Sequence, residues 1–106
     1  MDKKTIIDIV NRFTQSLQAQ NIKLHKVILY GSCASGTNKE GSDIDLVVIS
    51  DDFLHKDYWE RIEILSEAIY QIFEPIEAVA MTPEEWERGD SFVVDYAKSG
   101  EILYAA

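Results

Sequence analysis

Two short apolar runs on either side of a glycine-bearing polar stretch constrain this chain more than any other feature. Val27 to Tyr30 leads into Gly31-Ser32-Cys33-Ala34-Ser35-Gly36-Thr37-Asn38-Lys39-Glu40-Gly41-Ser42-Asp43-Ile44-Asp45, and Leu46 to Ile49 leads out. Such runs read as strands, and the stretch between them predicts a turn, a short helix and a loop. Backbone N–H groups at the turn and the helix start can hold phosphate oxygens, and Ser32 is placed to cap that helix. Asp43 and Asp45 sit two apart at the head of the second strand, taken as Asp43 to Ile49, so alternation sends both carboxylates to one face. A phosphate cradle beside paired hard-cation ligands points to metal-dependent chemistry on a nucleotide. Two other motifs are excluded. Gly31 and Gly36 have P-loop spacing, but Thr37 stands where the lysine belongs. Apolar Leu46 and Val47 follow the Asp-x-Asp pair, so it does not open an EF-hand loop.

The flanking segments read as helices and further strands. Ile6, Ile9, Val10, Phe13 and Leu17 recur at helical spacing, predicting a helix near residues 3–20 that ends at Asn21. Ser50-Asp51-Asp52 reads as a loop with solvated acids. A second helix is expected over about 56–73, with Tyr58, Ile62, Leu65, Ile69 and Ile72 inward and Glu60, Glu63 and Glu67 outward. Pro75 ends the connection to a third strand, Ile76 to Met81. Thr82-Pro83-Glu84-Glu85 carries a helix start, with Thr82 as cap, Pro83 at the first position and Glu85 three on. Another helix is expected from Ser91 to Ser99, stopping at Gly100. Glu101 to Tyr104 is either an edge strand or a docking tail. The pattern is α/β (α+β), in one domain over residues 1–106 with no repeat or linker.

Composition narrows the function. No run approaches the ~20 apolar residues that span a bilayer. Met1-Asp2-Lys3-Lys4 opens an amphipathic pattern and not a signal-peptide core. The single cysteine, Cys33, excludes an internal disulfide, and a cytoplasmic location is the expectation. A formal charge of −9 repels polynucleotide backbones, so RNA and DNA are disfavoured as partners. A nucleoside triphosphate bridged by cations remains open, as does a basic protein partner.

Gly31-Ser32, ten residues, then Asp43-x-Asp45 resembles the signature of the DNA polymerase β-like nucleotidyltransferase superfamily. Within it the chain is most similar to the minimal nucleotidyltransferases, small single-domain proteins often paired with a HEPN-domain protein. The resemblance runs from about Val27 to the C-terminus. It implies a nucleotidyltransferase fold, a small mixed β-sheet of three to four strands packed by helices. It also implies a third acid between apolar residues on a later strand, and Glu77, between Ile76 and Ala78, matches. The alternative for Glu77 is an exposed acid on an edge strand.

On this reading Asp43, Asp45 and Glu77 bind Mg²⁺, as two ions with Asp45 bridging and Glu77 on the ion that activates the attacking hydroxyl. Gly31 and Ser32 grip the β/γ-phosphates of ATP, and pyrophosphate leaves. Ser42 either caps its loop or touches a phosphate. The resemblance implies transfer of AMP to a hydroxyl, a tyrosine, of a partner protein. That partner would be a HEPN-type ribonuclease toxin and this chain its antitoxin, in a homo- or hetero-oligomer. Two alternatives stay open: an antitoxin that acts by occlusion with a vestigial site, and transfer to a small molecule such as an antibiotic hydroxyl. One departure bears on activity. Relatives often carry arginine after Gly-Ser, where this chain has Cys33 and Ser35, and the lost charge weakens triphosphate binding.

The remaining candidates read as structural. Lys39 is an exposed loop lysine, the alternative being a reach to the triphosphate. Cys33 fills space, the alternative being a thiol activated by the helix start. His25 and His55 lack metal or triad spacing. Trp59 and Trp86 are core or interface aromatics, the alternatives being a base-stacking platform and, for Trp86, cover at a site edge, and Arg88 is a surface charge.

Overall fold

A computed structural model describes all 106 residues. Helix α1 (Lys3–Ala19) starts at Asp2, whose carboxylate accepts from the Thr5 N–H at 2.8 Å, and turns Ile6, Ile9, Val10, Phe13 and Leu17 inward. It ends just before Asn21, which takes a left-handed φ of 66°. Strand β1 (Lys26–Tyr30) leads through Gly31 into one turn of helix, α2 (Ser32–Ser35), and on to strand β2 (Ile44–Ile49). Helix α3 (Tyr58–Ile72) then crosses over to strand β3 (Ile76–Met81). Two short helices, α4 (Pro83–Arg88) and α5 (Phe92–Ala97), precede strand β4 (Glu101–Ala105).

The four strands form one mixed sheet in the order β3-β2-β1-β4. β1 runs antiparallel to both β2 and β4, while β2 and β3 are parallel, as a helical crossover requires. β2 lies in the interior of the sheet with both faces covered, which is why Leu46, Val47, Val48 and Ile49 form an unbroken apolar run. One face packs beneath α1 and α3 through Val27, Leu29, Leu46 and Val48. On the other, Ile28, Val47, Ile49 and Met81 meet Val94 and Ala97 of α5. No helix is long and apolar enough to cross a membrane.

Several expectations need adjustment. β2 begins at Ile44, leaving Asp43 in the preceding loop. Residues Asp51–Phe53 form a 3-10 turn instead of a plain loop, because Phe53 drops into the core and Ser50 accepts from the Asp52 N–H. Asp52 meanwhile accepts from the Lys23 N–H at 2.7 Å, a structural role. Tyr58 does not line the inner face of α3. Asp57 and Glu60 cap that helix with a reciprocal box, which puts Tyr58 in its exposed first turn, edge-on to Trp59 at 5.2 Å. α5 is shorter than expected, and Glu101–Ala105 is a strand rather than a docking tail.

Arg61 ties the crossover to the sheet. Its guanidinium donates to the carbonyls of Phe53 (2.7 Å) and Lys56 (3.0 Å), and to Glu85 of α4 (2.7 Å). Desolvation pushes the Glu85 carboxyl up, but its bonds to Arg61 and Thr82 outweigh this and hold it below its usual value. Replacing Arg61 by alanine strands these acceptors, so Arg61→Ala should cost about 2–4 kcal/mol of stability and Arg61→Lys distinctly less. Urea unfolding of the two variants measures this. Equal midpoints for wild type and Arg61→Ala would refute the anchoring role.

Candidate active site

β1 ends where β2 and β3 begin, so the candidate residues of the sequence lie at one end of the sheet. Tyr30 pairs with Asp45 across β1 and β2, and Asp45 pairs with Glu77 across β2 and β3. The three residues form a row over three strands, and residues in such a row project to the same face. That face is the one carrying α4 and α5, since Tyr30, Val47 and Val79 all pack against its apolar cluster. Asp45 is half-buried in the row, while Glu77 and Asp43 are exposed.

The glycine turn is shaped by this row. Gly31 has φ 73° and ψ −155°, and a Cβ built on it would lie 2.5 Å from Asp45 Oδ2. Any side chain would collide with the carboxylate, so glycine is required on both conformational and steric grounds. Gly31 itself is the N-cap of α2, which corrects the expectation that Ser32 caps this helix. The Gly31 carbonyl accepts from the N–H groups of Ala34 and Ser35, both at 3.1 Å. The amides of Ser32 and Cys33, at the first turn, have no helical acceptor.

The supporting residues are accounted for individually. Ser42 caps its loop, its hydroxyl accepting from the Lys39 N–H at 2.8 Å and its own N–H donating back to the Lys39 carbonyl. Lys39 is exposed. Cys33 is buried against the Asp43 carbonyl at 3.5 Å, and burial, then the charge of Asp45, push its thiol above the usual value. It fills space and is not an activated nucleophile. Trp86 packs against the second core, His25 and His55 are exposed, and Arg88 pairs with Asp90 at the surface.

Electrostatically the row is uncompensated. Desolvation first, then repulsion from and hydrogen bonding to Glu77, then the charge of Asp43, raise the Asp45 carboxyl from 3.8 to about 6. The Tyr30 phenol is likewise pushed up, by burial and then by Asp45 and Glu77. None of the three acids takes part in an ion pair; each lysine or arginine that pairs does so elsewhere. Adjacent carboxylates without a cationic partner are a donor set of the kind a divalent cation takes. The protein alone does not close it, since no three acid, histidine or cysteine side chains converge to metal-holding distance. Asp43, Asp45 and Glu77 fit Mg²⁺ in the chemistry of their oxygens.

A family model described as a nucleotidyltransferase domain matches residues 7–98. The chain belongs to the nucleotidyltransferase domain family. No curated protein matches it. Among solved structures, this nucleotidyltransferase is similar to a protein from Sulfolobus solfataricus assigned the same activity, with TM-score 0.74, 15% identity, and coverage of 97% of this chain and 83% of that one. It is also similar to a toxin-antitoxin complex with AMP-PNP, with TM-score 0.64, 24% identity and coverage of 91% and 73%. A third similar structure is a tri-AMPylated Shewanella oneidensis HEPN toxin in complex with an MNT antitoxin, with TM-score 0.57, 21% identity and coverage of 98% and 73%. At these identities the structural likeness establishes the mixed-sheet fold.

Sequence reasoning missed Tyr30 as a member of the row. The available signal was its place as the last strand residue before Gly31, opposite the strand that carries Asp45. The raised carboxyl of Asp45 has a definite pH consequence. The folded state holds its proton more tightly than the unfolded chain, so stability falls as pH rises from about 4 to about 6 and stays lower above. Asp45→Asn removes that loss. Without divalent cations it should be more stable than wild type by about 1 kcal/mol above pH 7, after solvent screening is allowed for, and show no advantage below pH 4. Thermal melts in EDTA across this range test it. A destabilised Asp45→Asn at pH 7.5 would contradict the uncompensated row.

Proposed function

We propose that this nucleotidyltransferase transfers AMP from ATP to a tyrosine hydroxyl of a HEPN-type partner protein, as the antitoxin of that pair. The observation that carries the reading is the uncompensated row of Asp45 and Glu77, with Asp43 beside it, against the Gly31 turn. Asp43, Asp45 and Glu77 would hold Mg²⁺, as two ions, which when bound supplies the positive charge that the acids lack and that the triphosphate needs. Gly31 gives the phosphates a close approach to the backbone, with the free amides of Ser32 and Cys33 facing them. Ser42 serves this site by holding the loop that presents Asp43.

In the reaction the acceptor oxygen bonds to the α-phosphorus as the bond to the bridging oxygen breaks. Pyrophosphate departs, and the hydroxyl proton passes to a base. The arginine-free segment after Gly31 makes triphosphate binding depend on the cation and the amides more than on side chains.

A protein acceptor is favoured by the surface. Tyr58 and Trp59 at the start of α3, Tyr70 and Phe73 at its end, and Phe92 and Tyr96 on α5 are all more than two-thirds exposed, aromatic pairs of a kind enriched at protein interfaces. The net charge of −9 disfavours a nucleic acid there. The similar solved complexes, one with AMP-PNP and one with an AMPylated HEPN toxin, support the same reading. Occlusion without transfer is the second reading, favoured by the acids' failure to converge unaided.

The test is incubation of the chain and a co-encoded HEPN-type partner with α-labelled ATP and Mg²⁺. Label should move to a partner tyrosine with wild type and fail to move with Asp43→Asn/Asp45→Asn. A demonstrably bound complex that never takes up label would exclude the transferase reading. Neutralisation retained by the double variant would favour occlusion.

A further inference from the structure

β3 ends one side of the sheet, and its pairing with β2 runs unbroken from Ile44↔Ile76 to Ile49↔Met81. The carbonyls of Pro75 and Met81 accept from the Ile44 N–H (2.7 Å) and the Ser50 N–H (3.0 Å). Odd-numbered residues therefore turn their main chain toward β2, and alternation turns that of Ile76, Ala78 and Ala80 outward. The Ile76 N–H donates to the Glu74 carbonyl, and the Ala80 carbonyl accepts from Arg61 at 3.5 Å. Both main-chain groups of Ala78 and the N–H of Ala80 face out without a partner. No proline, lysine or bulge guards this edge. We propose that it takes an extended segment of the acceptor protein as a fifth strand, with the acceptor tyrosine opposite Glu77. The inference rests on the transferase reading above and adds how the acceptor is held.

Direction is the first argument. The row runs Tyr30, Asp45, Glu77 across β1, β2 and β3, and the Gly31 turn meets Asp45 from the β1 side. With the β/γ-phosphates at Gly31, pyrophosphate leaves toward β1. In-line displacement then requires the attacking oxygen to arrive from the opposite side, past Glu77. A strand added to β3 extends the row by one place, ~4.8 Å beyond Glu77, and its residue there projects to the face of the acids. Glu77 is exposed, so that place is open.

The second argument is the chemistry of the edge. A groove of about 420 Å³ is lined by Ala78, Val79 and Ala80 of β3 and by Ile62 and Leu65 of α3. Outward main-chain groups beside an apolar wall match a polypeptide strand, whose backbone supplies the complementary groups. Its residues on either side of the tyrosine would face α3, where Ala78 and Ala80 are small and half-buried. Tyr58, 68% exposed, lines the same groove, an aromatic of the kind enriched at protein interfaces.

Charge selects among occupants. Arg61 and Glu85 in the groove pair with each other, which leaves Lys56 as its one charge outside any ion pair. The groove thus suits a segment that carries an acidic residue. A second copy of this chain is disfavoured, because each copy carries a net charge of −9.

Amide hydrogen exchange read by NMR tests this on the chain and its co-encoded partner, with Mg²⁺ and α,β-methylene ATP, which cannot release pyrophosphate. In the free chain the amides of Ala78 and Ala80 should exchange fast, and those of Glu77, Val79 and Met81 slowly. Partner binding should slow Ala78 and Ala80 about 10-fold, the scale of one main-chain hydrogen bond. Ala78→Pro removes a donor that the fold leaves unused, at an edge position that tolerates the ring. It should keep the melting temperature and Mg²⁺-ATP affinity of wild type while lowering kcat/KM for AMP transfer to the partner about 10-fold. Lys56→Glu should raise KM for the partner and leave kcat unchanged. Unchanged exchange at Ala78 and Ala80 in a demonstrated complex would overturn the added strand, as would transfer by Ala78→Pro at the wild-type rate. Slow exchange of both amides in the free chain, lost on dilution, would assign the edge to a second copy and overturn it too. If Ala78→Pro does not fold, the exchange measurement decides. A complex that protects both amides yet never takes up label from ATP would overturn the transferase reading, and the acceptor role of the segment with it.

Discussion

The parallel pairing of β2 with β3 is the constraint on which the polar end of this molecule depends. It places Asp45 and Glu77 at one register position, and strand alternation then sends both carboxylates to one face. No lysine or arginine answers them. Repulsion and desolvation act against folding there, as the raised Asp45 carboxyl shows. The arrangement survives because the rest of β2 is buried on both faces, Leu46 to Ile49 carrying no measurable exposure. A row that strains one end of a strand is held by four apolar residues behind it.

The same pairing determines which neighbours the acids can have. Asp45 approaches Gly31 so closely that no side chain fits there, which joins the acidic row and the glycine turn at a single contact. Arg61 serves the geometry from a distance. From the first turn of α3 it bonds the 3-10 turn, the Lys56 carbonyl in the loop before α3, and α4. On the far side, Gly100 does for α5 what Gly31 does for the turn, removing a Cβ where backbones must nearly touch. The site is thus a set of close approaches permitted by absent side chains. Membership of the nucleotidyltransferase domain family, matched over residues 7–98, covers all of these contacts except those made by Gly100.

Much of this was legible in the residues themselves. The strands around the glycine stretch, both long helices and the Thr82–Glu85 capping box are local, set by apolar period and side-chain caps, and they appear where the spacing puts them. Gly31, Asp43, Asp45 and Glu77 stood out because polar and glycine residues interrupt apolar runs there. Other features were out of reach. The cap of α2 fell to Gly31 rather than Ser32 because the chain turns at Gly31 with a positive φ, where the nearby carboxylate leaves no room for a side chain. Tyr58 kept the helical period yet faces solvent, because the capping box starts the helix there.

Sequence alone determined the elements, the acidic pair and the glycine turn, since each follows from interactions within a few residues. Strand order and register were decided only in three dimensions. They made Tyr30 a neighbour of Asp45, turned Glu101–Ala105 into an edge strand on β1, and left β3 as the other edge. The reason is that pairing between segments dozens of residues apart is chosen by burial of the whole sheet, to which no single stretch of chain holds the key.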